Sequence, residues 1–144
     1  ASRGLGDVYK RQVHNDSHKF ESNFVSLEIP KNNSVMFGSL SGTKLGVWVA
    51  HGEGKFEFPY EEKEYNIIAK YNYDGYPANP NGSPWSVAGV CSKDGRHLAM
   101  MPHPERAIFP WQCGYYPADR KENDEVTPWI EAFVNARKWI ENNK

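Results

Sequence analysis

Apolar and polar residues alternate through "NFVSLEI", with Val25, Leu27 and Ile29 on one side and Phe24, Ser26 and Glu28 on the other. A period of two marks a half-buried strand, and Pro30, which has no N–H to donate, ends it. "NNSVMFGSLSG" carries turn residues at both ends and predicts a short helical turn or loop. "KLGVWVAHGEG" is a continuous apolar run closing in small and polar residues. That suits a buried strand delivering His51 and Glu53 to a site at its end. "EFPYEEKEYN" reads as a short helix and "IIAKYNYD" as a further strand, before the dense turn region "DGYPANPNGSPW".

Two strand-length runs, "SVAGVCS" and "HLAMMPH", flank "KDGR" and predict a hairpin, with Asp94 and Gly95 in a tight type I′ turn. Near the end, "VTPWIEAFVNARKWIENN" offers Thr127 as N-cap and Pro128 at the first helical position. Trp129, Phe133, Ala136 and Ile140, with Ile130 and Val134 alongside, give one amphipathic helix to pack on the sheet. Mixed strands and helices place the chain in the α/β or α+β class. The first twelve residues, "ASRGLGDVYKRQ", open without Met and follow neither period. They read as a non-native or unstructured leader, so the domain is expected to run from residue 13 to 144.

Composition narrows the function. Seventeen basic and 18 acidic residues among 144 leave a net charge of −1. Nucleic-acid binding and polybasic membrane anchoring are therefore disfavoured. No apolar run approaches the roughly 20 residues of a membrane helix. Two cysteines make neither a disulfide framework nor a metal knuckle, which favours a reducing, cytoplasmic setting. Most of the five tryptophans are expected in the core.

The chemistry concentrates in "MMPHPER". In an extended segment, residues two apart share a side, so His103 and Glu105 can meet while Pro102 and Pro104 stiffen their backbone. A carboxylate beside an imidazole fixes its tautomer and stabilises the imidazolium, the orienting role in a nucleophile–base–orienter set. The same residues also suit a plain polar turn with Arg106 as counter-ion. Cys91 is a poor nucleophile: "GVCSKDG" has Lys93 where an elbow needs its second Gly, and a hairpin follows instead of a helix. Cys113, in an aromatic loop, has no elbow either. A metal site built from His51, Glu53, His103 and Glu105 is the chemical alternative, although a helical His-Glu-x-x-His is absent. A stand-alone metallohydrolase and a non-catalytic aromatic binding module thus remain beside the His–Glu reading.

The segments "WVAHGEGKF", "YPANPNGSPWSVAGVCSKDGRHLAMMPHPER" and "TPWIEAFVNARKWI" together resemble the C-terminal part of the glutamine amidotransferase domain of the phosphoribosylformylglycinamidine synthase family, in its large single-chain form. The resemblance implies a class I glutamine amidotransferase with a flavodoxin-like open α/β sheet and a Cys-His-Glu triad. His103 and Glu105 match its His and Glu; its Cys is implied upstream, so these residues alone are expected to be inactive. It implies hydrolysis of glutamine to supply ammonia for the ATP-dependent conversion of formylglycinamide ribonucleotide to the amidine in purine synthesis. His51, Glu53, Asn79, Asn81 and Ser83 become candidates near the glutamine pocket. No cofactor or metal is implied within these residues. ATP and magnesium are implied for the synthase domain of the same polypeptide, which with glutamine is the expected partner.

Overall fold

The structure, a computed structural model, describes residues 11–144. Of the expected leader, residues 1–10 lie outside that range, while Arg11 and Gln12 belong to strand β1 (Arg11–Val13). The remaining strands are β2 (Glu21–Glu28), β3 (Lys44–His51), β4 (Lys55–Glu57), β5 (Asn66–Tyr71), β6 (Val87–Cys91) and β7 (Leu98–Met100). Two helices follow, α1 (Ala118–Lys121) and α2 (Ile130–Asn142). Five strands make one sheet in the order β3-β2-β5-β6-β7, and β1 pairs with β4 in a two-stranded ribbon. The recorded pairings are all antiparallel.

The mixed strand-and-helix class that the resemblance implied is present, and these strands form a sheet that curls. An isolated bridge joins Trp48 of β3 to His103, three residues beyond β7, and so brings the two ends of the strand order together. The alternation in β2 is realised: Val25 and Leu27 are buried, with Ile29 just past the strand end. They meet Val47 and Val49 of β3, Ile68 and Ala69 of β5, and Phe37, Leu40, Trp129 and Ala132 in one core. Burying each large side chain stabilises by about 1.5–3 kcal/mol. A smaller cluster of Phe56, Val87 and Val90 fills the space toward the ribbon.

Four local expectations change. β3 stands first in the strand order and alternates in burial, so its apolar run does not mark a strand buried on both faces. The expected helix in "EFPYEEKEYN" is a single 3-10 turn at Glu62–Glu64, preceded by β4, whose partner is distant in sequence. The β6–β7 hairpin forms, but only Gly95 takes positive φ, at 72°, whereas a type I′ turn needs it at Asp94 as well. Asp94 Oδ1 instead accepts from Ser92 Oγ at 2.5 Å and from the Arg96 amide at 3.1 Å, holding a wider loop. At α2 the Thr127 hydroxyl does not cap the helix; it donates to the Ala107 carbonyl at 2.5 Å, and Trp129 precedes the regular turns. Trp129 and Ala132 enter the core while Phe133, Val134 and Ile140 stay exposed. The helical period therefore identified an amphipathic helix without identifying how much of its stripe is covered.

Candidate active site

His103 sits where the sheet closes. Its amide donates to the Trp48 carbonyl at 2.8 Å, so β3 fixes its backbone. Pro104–Arg106 then forms a 3-10 turn, closed by the Arg106 amide on the His103 carbonyl at 3.1 Å. Glu105 thus reaches the ring through a turn and not along an extended segment. Its Oε1 lies 2.7 Å from His103 Nδ1. A carboxylate only accepts, so Nδ1 carries the proton and Nε2 of the neutral ring keeps its lone pair. With 30% of the His103 side chain and 56% of Glu105 exposed, the pair opens toward solvent. A fixed tautomer with an available Nε2 can take and return a proton.

The two thiols do not complete this pair. Burial, and secondarily Asp94, pushes the Cys91 thiol up to about 11. Its sulfur receives the Asn66 amide at 3.0 Å, which suits a strand residue in the core. Desolvation raises the Cys113 thiol as well, and its Sγ faces the Phe109 carbonyl at 3.7 Å.

The remaining candidates separate. Glu53 turns outward to His14, 3.5 Å away, whereas His51 is buried. Among the described residues no three His, Cys, Asp or Glu side chains gather as a metal site. The hydrogen bonds of Asn79, Asn81 and Ser83 organise their loop and tie it to the segment from Gly54 to Phe56. Asn79 bonds the Gly82 amide and the Ser83 carbonyl, each at 3.1 Å. Asn81 donates to the Gly54 carbonyl at 2.8 Å and accepts from the Ser83 amide at 2.9 Å, while Ser83 Oγ receives the Phe56 amide at 3.0 Å. Asn79 and Ser83 also border a cleft of about 540 Å³ shared with Asp16, Asp74, Tyr76 and Trp85.

Two residues near His51 were missed in the sequence. Asn15, fully buried, holds the turn after β3: its amide donates to the Gly52 carbonyl at 2.9 Å and its Oδ1 accepts from Gly54 at 3.0 Å. Nothing in "VHNDSH" singles it out from other turn-forming Asn residues. Glu21 had a signal, since it shares parity with Val25 and Leu27 and so places a carboxylate on the core-facing side. Desolvation holds the His51 pKa below its ordinary value, with Glu21 acting to raise it and His103 to lower it further.

The curled antiparallel sheet agrees with what the comparisons show. Residues 8–140 match the CobB/CobQ-like glutamine amidotransferase domain family, and the chain belongs to that family. Among curated proteins, the probable phosphoribosylformylglycinamidine synthase, chloroplastic/mitochondrial, of Arabidopsis thaliana is 43% identical over 145 residues, covering 92% of this chain and 10% of that protein. The phosphoribosylformylglycinamidine synthases of Drosophila melanogaster and Homo sapiens are each 43% identical, over 88% of this chain. The chain spans about 10% of the length of these relatives. The structure of PurLQS from Thermotoga maritima aligns with a TM-score of 0.68 at 25% identity, covering 90% of this chain and 52% of that one. No helix among the described residues is long and apolar enough to cross a membrane.

Proposed function

We propose that this chain supplies the base and its orienting carboxylate to the glutaminase site of a phosphoribosylformylglycinamidine synthase. The observation that carries the proposal is the 2.7 Å contact between His103 Nδ1 and Glu105, with Nε2 left available. Family membership and relatives at 43% identity support the substrate and the parent reaction. With Cys91 and Cys113 unsuited, a cysteine outside these 144 residues attacks the glutamine carboxamide. His103 Nε2 takes the proton of that thiol as the sulfur attacks and gives it to the departing ammonia, leaving a glutamyl thioester. Nε2 then takes a proton from the water that hydrolyses the thioester, releasing glutamate and returning the thiol, while Glu105 stabilises each imidazolium.

Released ammonia passes to the synthase portion of the same polypeptide, where ATP with magnesium activates the formylglycinamide oxygen for displacement to the amidine. The two free thiols support a reducing setting such as the cytoplasm; the name of the Arabidopsis relative assigns that protein to plastid or mitochondrion. The test is His103→Ala in the full-length polypeptide. Glutamine-dependent amidine synthesis is expected to fall by about 10²–10⁴-fold, with synthesis from added ammonia retained. Equal loss of both activities refutes the assignment.

A further inference from the structure

A carboxylate and an imidazole lie buried on adjacent strands near the His103 closure. Glu21 opens β2 and is in register with His51 at the end of β3. They are 9% and 5% exposed. Side chains directly opposed across antiparallel strands start about 4.5–5.5 Å apart at Cβ.

Asn15 determines the tautomer of His51. Its Nδ2 donates to the carbonyls of Lys19 at 2.9 Å and His51 at 2.7 Å, so its Oδ1 is the acceptor that takes the Gly54 amide. The same Oδ1 faces His51 Nδ1 at 3.1 Å, which places the ring proton on Nδ1. Nε2 of the neutral ring is then an acceptor. It is buried without a hydrogen-bond partner, and so is Glu21 Oε1. Neither group carries a hydrogen for the other, and unmet buried acceptors are costly.

What a carboxylate and an imidazole lone pair jointly accept is a small cationic N–H donor; the carboxylate neutralises it and the ring supplies a second acceptor. A metal would need further ligands, and among the described residues no third His, Cys, Asp or Glu joins them. The geometry points to a binding site for an ammonium group between Glu21 and His51, beside the His103–Glu105 pair. This rests on the glutaminase reading and deepens it. The same chemistry has two sources there: the α-ammonium of glutamine, and the ammonia released from its carboxamide.

Glu21→Gln and His51→Asn, each in the full-length enzyme, test the site. Gln keeps the shape of Glu21 without its charge; Asn at position 51 retains an amide donor for Asn15 while removing Nε2. Two quantities are measured, the KM for glutamine and the amidine formed per glutamate released. If the site holds the α-ammonium, KM rises by about tenfold or more, the loss expected for a charge-assisted hydrogen bond, and the ratio holds. If it holds released ammonia, KM changes by less than about twofold while the ratio falls and glutamate release continues. Both quantities unchanged in both variants overturn the proposal and leave the acceptors to water. Should Glu21→Gln fail to fold, His51→Asn decides. Failure of the glutaminase reading is seen separately, as glutamine-dependent synthesis that survives His103→Ala.

Discussion

Replacing Asn15 by Ala removes the residue that ties the turn after β3 to the entry of β2. In the native chain its Oδ1 accepts from the Gly54 amide at 3.0 Å and faces His51 Nδ1 at 3.1 Å, while its Nδ2 donates to the His51 carbonyl at 2.7 Å. Alanine leaves two donors and two acceptors, the second acceptor being the part-buried Lys19 carbonyl, without that partner. Each costs about 1–3 kcal/mol when unmet; with partial relaxation, a loss of about 3–5 kcal/mol is expected. The assay is the urea midpoint of the 144-residue chain, read with the slope held constant. Asn143→Ala is the control, because its amide donates to the Trp139 carbonyl at 2.8 Å at the exposed end of α2. That substitution is expected to stay within about 0.5 kcal/mol. A loss below about 1 kcal/mol for Asn15→Ala, or equal losses for the two variants, refutes the reasoning.

Gly95→Ala forces a Cβ into positive φ and to 2.1 Å from the Asn33 carbonyl oxygen, so a loss of about 2 kcal/mol or more is expected. Gly75→Ala, where a Cβ meets nothing within 4 Å, should change the urea midpoint little. His51 has a lowered folded pKa because burial disfavours its charge. Its contribution is therefore fully present above the unfolded value of about 6.5 and declines as pH falls below it toward the depressed folded value, with a slope up to about 1.4 kcal/mol per pH unit. His51→Asn should remove that part of the slope below about pH 6.5; urea midpoints that follow pH identically in both proteins count against it. Trp48→Phe deletes the indole donor to the Gln112 carbonyl at 2.7 Å but keeps the main-chain bridge to His103. A loss of about 1 kcal/mol is expected, with hydrogen exchange of the His103 amide, which bonds the Trp48 carbonyl, unchanged; faster exchange at that amide would contradict the separation of these two roles.

Much of the sheet was legible because its strands show the core one face. Val25, Leu27 and Ile29 announce β2 by parity alone, and the turn residues between β6 and β7 announce a hairpin. Pairings distant in sequence were not legible. β4 has no counterpart in the sequence reading, because "KFE" is too short to show a period and its partner β1 lies partly in the expected leader. Nor does a helical period report what covers a helix, as exposed Phe133, Val134 and Ile140 show. At the candidate site, residue types indicated the chemistry of His103 and Glu105, whereas the 3-10 turn that joins them and the Trp48 bridge that anchors them depend on the closed sheet. Glu21 could have been noticed: a carboxylate on the core-facing parity needs a reason.

Gly54 explains why "HGEG" and "NPNGS" belong to one construction. Its amide donates to Asn15 and its carbonyl accepts from Asn81, so the turn after β3 is held from both sides. A Cβ at position 54 would stand 2.5 Å from His51 Nδ1, so the bare Cα is what lets the imidazole fold over the turn. Both backbone groups and the missing side chain of this glycine are thus in use. The neighbouring strand performs the parallel task for the His–Glu pair, since the Trp48 carbonyl anchors His103 three residues before β3 delivers His51. One strand therefore sets the positions of both imidazoles. A change that shifts β3 along its register should disturb His103 and His51 together, whereas loss of Asn15 should disturb His51 and leave the His103–Glu105 contact in place.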